Sequence, residues 1–116
     1  MSDMTKAAQD VLAERRRQIE VECWKPEHDD AHTDGSLAAA GACYAMHSAI
    51  DAGIDSGRID RYAEPWRRLD KFVPDYWPFH RLWWKPRDRR RNLVKAGALI
   101  IAEIERLDRI GGSDAE

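Results

Sequence analysis

Hydrophobic residues recur every three to four positions in three stretches of the chain, which is the spacing of one face of an α-helix. The three predicted helices cover residues 3–21, 34–52 and 88–110. The second helix starts at Asp34 or Ser36, either of which can cap it, and the third ends before Gly111. Pro26 follows the first helix and prevents its continuation.

The second and third helices each carry an apolar stripe. The stripe of the second helix is Leu37, Gly41, Tyr44 and Ser48. Small residues around it allow close packing, so we expect this helix to be central. The stripe of the third helix is Leu93, Gly97, Ile100, Ile101, Ile104 and Leu107. We expect it to face the core, so that Ile101→Ala or Ile104→Ala would cost about 2–5 kcal/mol of stability.

The region between these two helices is irregular, because glycines and prolines interrupt it repeatedly. A short helix is predicted within residues 58–71, with Trp66 and Leu69 on one side. Residues 74–84, PDYWPFHRLWW, are predicted to form an ordered loop held in place by its aromatic rings. The predicted fold is a small, mainly α single domain over residues 1–116, with three main helices and a Trp/Pro-rich loop. The pattern leaves room for a short β-hairpin, and residues 1–3 and 111–116 are expected to fray.

Composition and charge narrow the function classes. The 116 residues suffice for one domain with a thin core. Five Trp, three Tyr and two Phe argue against a disordered chain. A net charge of −2 argues against an extended nucleic-acid partner.

The chain shows no sequence signal for a membrane or for export. It has no long apolar run that would predict a membrane span, and its start lacks the apolar region of a secretory signal. We therefore expect a cytoplasmic protein in which Cys23 and Cys43 are reduced thiols.

Arginines and tryptophans meet at the predicted start of the third helix. Cations there oppose the helix dipole by about a few tenths of a kcal/mol each, and an anionic ligand would remove that conflict. The predicted phosphate contacts are Arg87, Arg89, Arg90, Arg91 and Lys95, and the predicted stacking residues are Trp24, Trp83 and Trp84. Alternatively, Asp88 caps the helix, the arginines are solvated and the tryptophans belong to the core.

The segment 27–34, EHDDAHTD, contains six potential metal ligands. His28, Asp29, Asp30 and His32 are weak candidates for a divalent cation, because the segment lacks an HExxH, EF-hand or CxxC pattern. Pro26 and Gly35 bracket it as a loop. The favoured interpretation is that these side chains cap neighbouring helices, and neither a metal nor another cofactor is predicted.

Two segments resemble the ryanodine-receptor-type repeat domain. Residues 15–35, RRRQIEVECWKPEHDDAHTDG, contain Glu22 and Trp24 of an E-G-W motif, with Cys23 in place of Gly, followed by a paired Asp at 29–30. Residues 85–107, KPRDRRRNLVKAGALIIAEIERL, contain an Asp-Arg pair entering an apolar helix. The family's His-Pro and Pro-Tyr segment is absent between them. The same segments also resemble small phage and prophage proteins of no assigned activity.

The resemblance implies a recognition module without catalysis, of a kind that accompanies bacterial systems sensing nucleotide-type signals. The leading prediction is thus a protein that binds a nucleotide or nucleotide-derived messenger, and a phage copy would sequester a host defence signal. One alternative is a phage inhibitor, of the anti-CRISPR type, that blocks a host protein through the aromatic loop. Another is a metal-dependent nucleotide pyrophosphohydrolase using Asp29 and Asp30, although its usual paired acidic motifs are absent. No catalytic residue is assigned, and a homo-oligomer is left open.

Overall fold

The three long helices predicted from the hydrophobic pattern are present in the computed structural model, which describes residues 3–60, 62 and 74–111. The fold is mainly α, as predicted, and the described residues contain no strand or hairpin. The helices are α1 Lys6–Glu20, α2 Pro26–Asp30, α3 Ser36–Asp55 and α4 Arg89–Arg109. A single 3₁₀ turn covers Arg81–Trp83. The short helix predicted within residues 58–71 and most of the terminal residues expected to fray lie outside the described residues.

The starts of α1 and α4 follow their local sequence, whereas α3 begins after Gly35, which provides no side-chain cap in place of the predicted Asp34 or Ser36. The Thr5 hydroxyl accepts a hydrogen bond from the Ala8 N–H at 3.2 Å and caps α1. Asp88 caps α4 by accepting from the Arg91 N–H at 2.9 Å. Each of these caps satisfies an N–H that has no partner within its helix.

The short helix α2 corrects the prediction that residues 26–35 are a loop. Pro26 is the first residue of this helix, where its missing N–H costs nothing and its fixed φ is already helical. The helix ends at Asp30, and Gly35 adopts a φ of 83° immediately before α3. The segment therefore turns twice within ten residues, and this brings its histidines into one small region.

The central element is α4, and the prediction that the second helix would be central was wrong. Helix α4 contacts each of α1, α2 and α3, and its contact with α3 is the most extensive. Helix α3 packs closely on α4 at Gly41, where an added Cβ would lie 3.2 Å from the Ala96 carbonyl oxygen. On its other side, Gly97 of α4 packs against the Val11 side chain of α1. Small residues thus permit both crossings, as the glycine in the second helix suggested.

The predicted core stripe of α4 was wrong for four of its six residues, whereas Gly97 packs against α1 and Ile101 is half-buried. Leu93 and Ile104 are 51% and 52% exposed, whereas Leu99 and Ala102 are each 1% exposed. The buried face consists mostly of small residues because α1 and α3 approach so closely that larger side chains spread to the flanks. The stripe therefore forms a partly open row on the surface of α4.

The loop predicted to be held by its rings packs across the core. Trp77 is 8% exposed, and its Nε1–H donates to the His80 carbonyl oxygen at 3.1 Å. The Tyr44 hydroxyl accepts from the Lys85 N–H at 3.1 Å and fixes the end of the loop against α3. Trp84 packs 4.7 Å from the Tyr44 ring, centroid to centroid. None of the described helices is long and apolar enough to cross a lipid bilayer.

Candidate ligand-binding cleft

A cleft of about 250 Å³ opens between α2 and the loop that precedes α4. Trp24, His28 and His32 line one side of it. Phe79, His80 and Trp83 line the other side, and Leu37 of α3 completes the lining. This cleft is hereafter called the aromatic cleft.

Local backbone geometry sets the first side of the aromatic cleft. Cys23 has a φ of 62°, which is the left-handed conformation that glycine adopts most easily. The Trp24 N–H then donates to the Gln18 carbonyl oxygen at 2.9 Å, so that the chain folds back on the end of α1. The turn places the Trp24 indole beside α2.

The second side depends on His80. Its Nδ1 accepts a hydrogen bond from the Leu82 N–H at 3.1 Å, and this contact starts the 3₁₀ turn. The turn directs Trp83 toward the cleft, where its ring centroid lies 6.5 Å from that of Trp24. Trp83 is 47% exposed, so it can still take a partner.

Flat ring faces dominate the cleft. The His28 ring is stacked on Trp24 at a centroid distance of 6.3 Å and an interplanar angle of 6°. His32 meets the Phe79 ring edge-on at 5.3 Å. Surfaces of this kind favour a planar or aromatic ligand, which stacks on them without regard to its exact hydrogen-bonding pattern.

The predicted stacking residues are divided between two environments. Trp24 and Trp83 lie together at the aromatic cleft. Trp84 instead packs between Tyr44 and Trp77, with a centroid distance of 5.0 Å to Trp77. Its contacts are those of a core residue, in line with the alternative set out for it from the sequence.

Three of the predicted phosphate-binding arginines are held in ion pairs. The pairs are Arg89 with Asp55 at 3.2 Å, Arg90 with Asp10 at 2.8 Å, and Arg91 with Glu14. Burial alone would raise the pKa of Glu14, but hydrogen bonds from Arg17 and the charge of Arg91 outweigh it and lower the pKa below its ordinary value. The conflict between cations and the α4 dipole is therefore relieved by carboxylates of the chain itself.

An open hollow of about 450 Å³ lies beside these pairs, between the middle of α1 and the start of α4. Three carboxylates and three guanidinium groups line it, from Asp10, Glu14 and Asp88 and from Arg17, Arg90 and Arg91. The balance of charge makes this hollow a poor place for a free phosphate.

Two lysines, Lys85 and Lys95, lie closer to the aromatic cleft than Arg89, Arg90 and Arg91 do. The Lys85 ammonium is 5.3 Å from the Trp83 ring centroid, and Lys95 donates to the Lys85 carbonyl oxygen at 2.7 Å. Burial, followed by the charges of Arg91 and Arg87, lowers the pKa of Lys95. Within the part of the chain that the structure describes, Lys85, Arg87 and Lys95 have no carboxylate within 4.0 Å. An open shelf of about 430 Å³, lined by Lys85, Leu82, His80 and Trp83, continues from the cleft.

The acidic metal candidates are committed to arginines. Asp29 is fully buried and accepts from Arg15 at 2.8 Å. Asp30 accepts from Arg109 at 2.7 Å. No group of three potential ligands suited to a metal ion is found among residues 3–60, 62 and 74–111.

Sequence reasoning did not assign His80 or Lys85 to the site. No sequence feature identifies His80 as a site residue, since its role depends on a backbone contact within the loop. Lys85 could have been identified, because it directly follows the two tryptophans that were predicted to stack on a base. No family model, curated protein or solved structure matches the chain.

Proposed function

We propose that this protein binds a small ligand that combines a planar ring with an anionic group, most simply a nucleotide or a nucleotide-derived messenger. The observation that carries the proposal is the placement of Trp24 and Trp83 at one cleft, with the Lys85 ammonium 5.3 Å from the Trp83 ring centroid. The base would enter the aromatic cleft and the phosphate would lie on the shelf beside Lys85.

The size of the aromatic cleft supports the placement of the base inside it and of the phosphate outside it. Its volume of about 250 Å³ is below the usual range for whole drug-sized ligands, which begins at roughly 300 Å³. It suits a single base, and the sugar and phosphate would remain outside. The shelf shares His80 and Trp83 with the cleft, so one ligand can contact both.

The cations beside the shelf support the anionic part of the ligand. Lys85 lines the shelf and is exposed, Lys95 donates to the Lys85 carbonyl oxygen, and Arg87 follows two residues along the chain. Because no described carboxylate pairs with them, a phosphate would gain charge-assisted hydrogen bonds without breaking an ion pair. In this proposal Arg87 and Lys95 keep their predicted role, while Arg89, Arg90 and Arg91 serve the packing of the helices.

The resemblance to the ryanodine-receptor-type repeat domain adds a biological role to the proposal. A free-standing module of this kind, encoded by a phage and present in the host cytoplasm, would sequester a nucleotide-type defence signal. The proposal includes no catalytic step.

Calorimetric titration with a panel of linear and cyclic nucleotides tests the proposal. Trp83→Ala should weaken binding about 5- to 150-fold, which corresponds to the roughly 1–3 kcal/mol that base stacking contributes. Tyr76→Ala is the matched control, because Tyr76 is an 85% exposed aromatic residue outside the cleft.

The anionic contact is tested in the same way. Lys85→Gln should weaken a nucleotide more than the corresponding nucleoside, since only the nucleotide carries the phosphate. Arg16→Gln, an exposed cation on α1, should leave both affinities unchanged. Equal affinities for wild type, Trp83→Ala and Lys85→Gln would contradict the proposed site.

A second candidate function, protein binding, is favoured by the partly open row on α4. Leu93, Ile100, Ile104 and Leu107 are 43–52% exposed and follow each other along one side of the helix. A second copy of the chain is the simplest partner. Sedimentation would then give twice the 13.4 kDa of the chain, and Ile104→Glu would restore a monomer. A monomeric wild type would contradict self-association through this row.

A further inference from the structure

His28 and His32 form a close pair at the aromatic cleft. They lie four residues apart, across the end of α2, and their ring centroids are 4.7 Å apart. The two Nε2 atoms face each other at 3.4 Å. The contacts of Nδ1 in each histidine indicate whether Nδ1 or Nε2 carries the proton.

The contacts of Ser36 determine the tautomer of His32. The Ser36 hydroxyl donates to the Asp34 carboxylate at 2.6 Å, because a carboxylate can only accept. The same hydroxyl oxygen lies 3.3 Å from Nδ1 of His32. With its hydrogen already used, the hydroxyl accepts there, so that Nδ1 of His32 carries the proton and Nε2 carries a lone pair.

The contacts of Asp29 bear on the tautomer of His28. Its Oδ2 accepts from Arg15, whereas its Oδ1 is buried without a hydrogen-bond partner among the described residues. Nδ1 of His28 lies 3.5 Å from that oxygen. Nδ1 of His28 is a possible donor to this oxygen, as is the Arg15 Nη1, which is also buried without a partner among the described residues. In a neutral His28 that donates through Nδ1, Nε2 carries a lone pair, as it does in His32.

Two ring nitrogens at this distance can share a proton, or they can bind one metal ion between them. We propose that His28 and His32 bind a zinc ion through their Nε2 atoms. A tetrahedral ion with Zn–N bonds of about 2.05 Å separates two ligand nitrogens by about 3.4 Å. A square-planar ion with similar bonds would bring them to about 2.9 Å, so the spacing favours zinc over square-planar Cu²⁺ or Ni²⁺.

The surroundings of the pair match those of zinc-binding histidines. Such histidines donate their second ring N–H to a carboxylate, a hydroxyl or a carbonyl group, and Asp29 and Ser36 are so placed. The side chain of His28 is 43% exposed, so an ion can reach it from solvent. His80 lines the same cleft but accepts at Nδ1, so its Nε2 carries a proton and cannot bind the ion. The remaining two positions on the zinc would hold water, since the described residues offer no third ligand.

Zinc titration of the untagged protein, followed by calorimetry in the absence of nucleotide, tests the proposal. The wild type should bind one zinc ion per chain, and His28→Ala and His32→Ala should each abolish saturable binding. Ser36→Ala should weaken binding about 10-fold or more, because it removes the group that orients His32. His80→Asn is the control, since its side-chain oxygen can still accept from the Leu82 N–H, and it should bind zinc as the wild type does.

The nitrogen signals of the wild-type histidines provide a test that does not depend on the folding of any variant. In zinc-loaded protein, NMR should show Nδ1 protonated and Nε2 shifted for both His28 and His32. Ligation through Nδ1, absence of saturable zinc binding, or wild-type zinc affinity in the His28→Ala/His32→Ala variant would each overturn the proposal.

Discussion

The Arg91 guanidinium at the start of α4 donates a hydrogen bond to the Glu14 carboxylate of α1. The Glu14 side chain is 1% exposed, and it also accepts from Arg17 through both of its oxygens at 2.9 Å. A cation that the sequence would assign to an external phosphate is thus part of the contact between two helices.

Arg91→Ala should destabilise the protein more than Arg89→Ala. Arg91 serves a buried carboxylate, and its loss should cost about 1.5 kcal/mol, the lower limit for a charged hydrogen bond, because Arg91 itself is 37% exposed. Arg89 pairs with Asp55, whose side chain is 61% exposed, and such surface pairs contribute about 0–1 kcal/mol. Urea unfolding of the two variants measures the difference, and equal losses would contradict the structural role of Arg91.

Glu14→Gln should lower stability by about 2 kcal/mol near neutral pH, since it leaves two arginines without their shared carboxylate. The folded pKa of Glu14 is lowered, so its stabilisation is complete above the unfolded pKa of about 4.5 and is lost as the pH falls through the folded value. The gap between wild type and variant should therefore be constant at neutral pH and close in acid. A gap that widens as the pH falls would contradict the assigned direction.

Leu99→Ala should cost about 2–5 kcal/mol, because Leu99 is 1% exposed and lies in the core cluster. Ile104→Ala removes a similar side chain from the same helix but should cost less than about 1 kcal/mol, since Ile104 is 52% exposed. Thermal unfolding of both variants at low protein concentration compares the two faces of α4. If Ile104→Ala lost more stability than Leu99→Ala, the buried face of α4 would be the one predicted from the sequence.

Gly41→Val should destabilise the protein by about 1–3 kcal/mol through overpacking. An added Cβ would already lie 3.2 Å from both the Ala96 carbonyl oxygen and the Ile100 side chain. Ala42→Val introduces the same side chain at the next, exposed position of α3 and should be nearly neutral. If the two variants unfold at the same denaturant concentration, the close crossing of α3 and α4 is wrong.

The long helices could be predicted from the sequence because their periodicity and caps are local properties. The buried face of α4 could not, since the choice between large and small residues depends on how closely α1 and α3 approach. Ala96 and Ala102 are almost completely buried at these crossings, while Ile104 lies on the flank. The helix α2 was misassigned because Pro26 was taken as a helix breaker, although proline is well accommodated at a first helical position.

The candidate site was predictable only in part, for a similar reason. Trp24 and Trp83 were recognised as stacking candidates from their residue type and neighbours. Whether an arginine is free depends on carboxylates far away in sequence, as Glu14 and Arg91 show with a separation of 77 residues. The aromatic cleft depends in turn on the 3₁₀ turn, whose hydrogen bond from the Leu82 N–H to His80 no periodic pattern indicates.

The most direct test of the proposed binding function is an NMR titration that follows the indole N–H signals while nucleotides are added. Trp24 and Trp83 line the aromatic cleft, so both signals should shift and saturate together. The Trp77 N–H is held by the His80 carbonyl oxygen at 3.1 Å within the core, and its signal should stay near its starting position. If neither the Trp24 nor the Trp83 signal moves at millimolar nucleotide, the cleft does not bind this class of ligand.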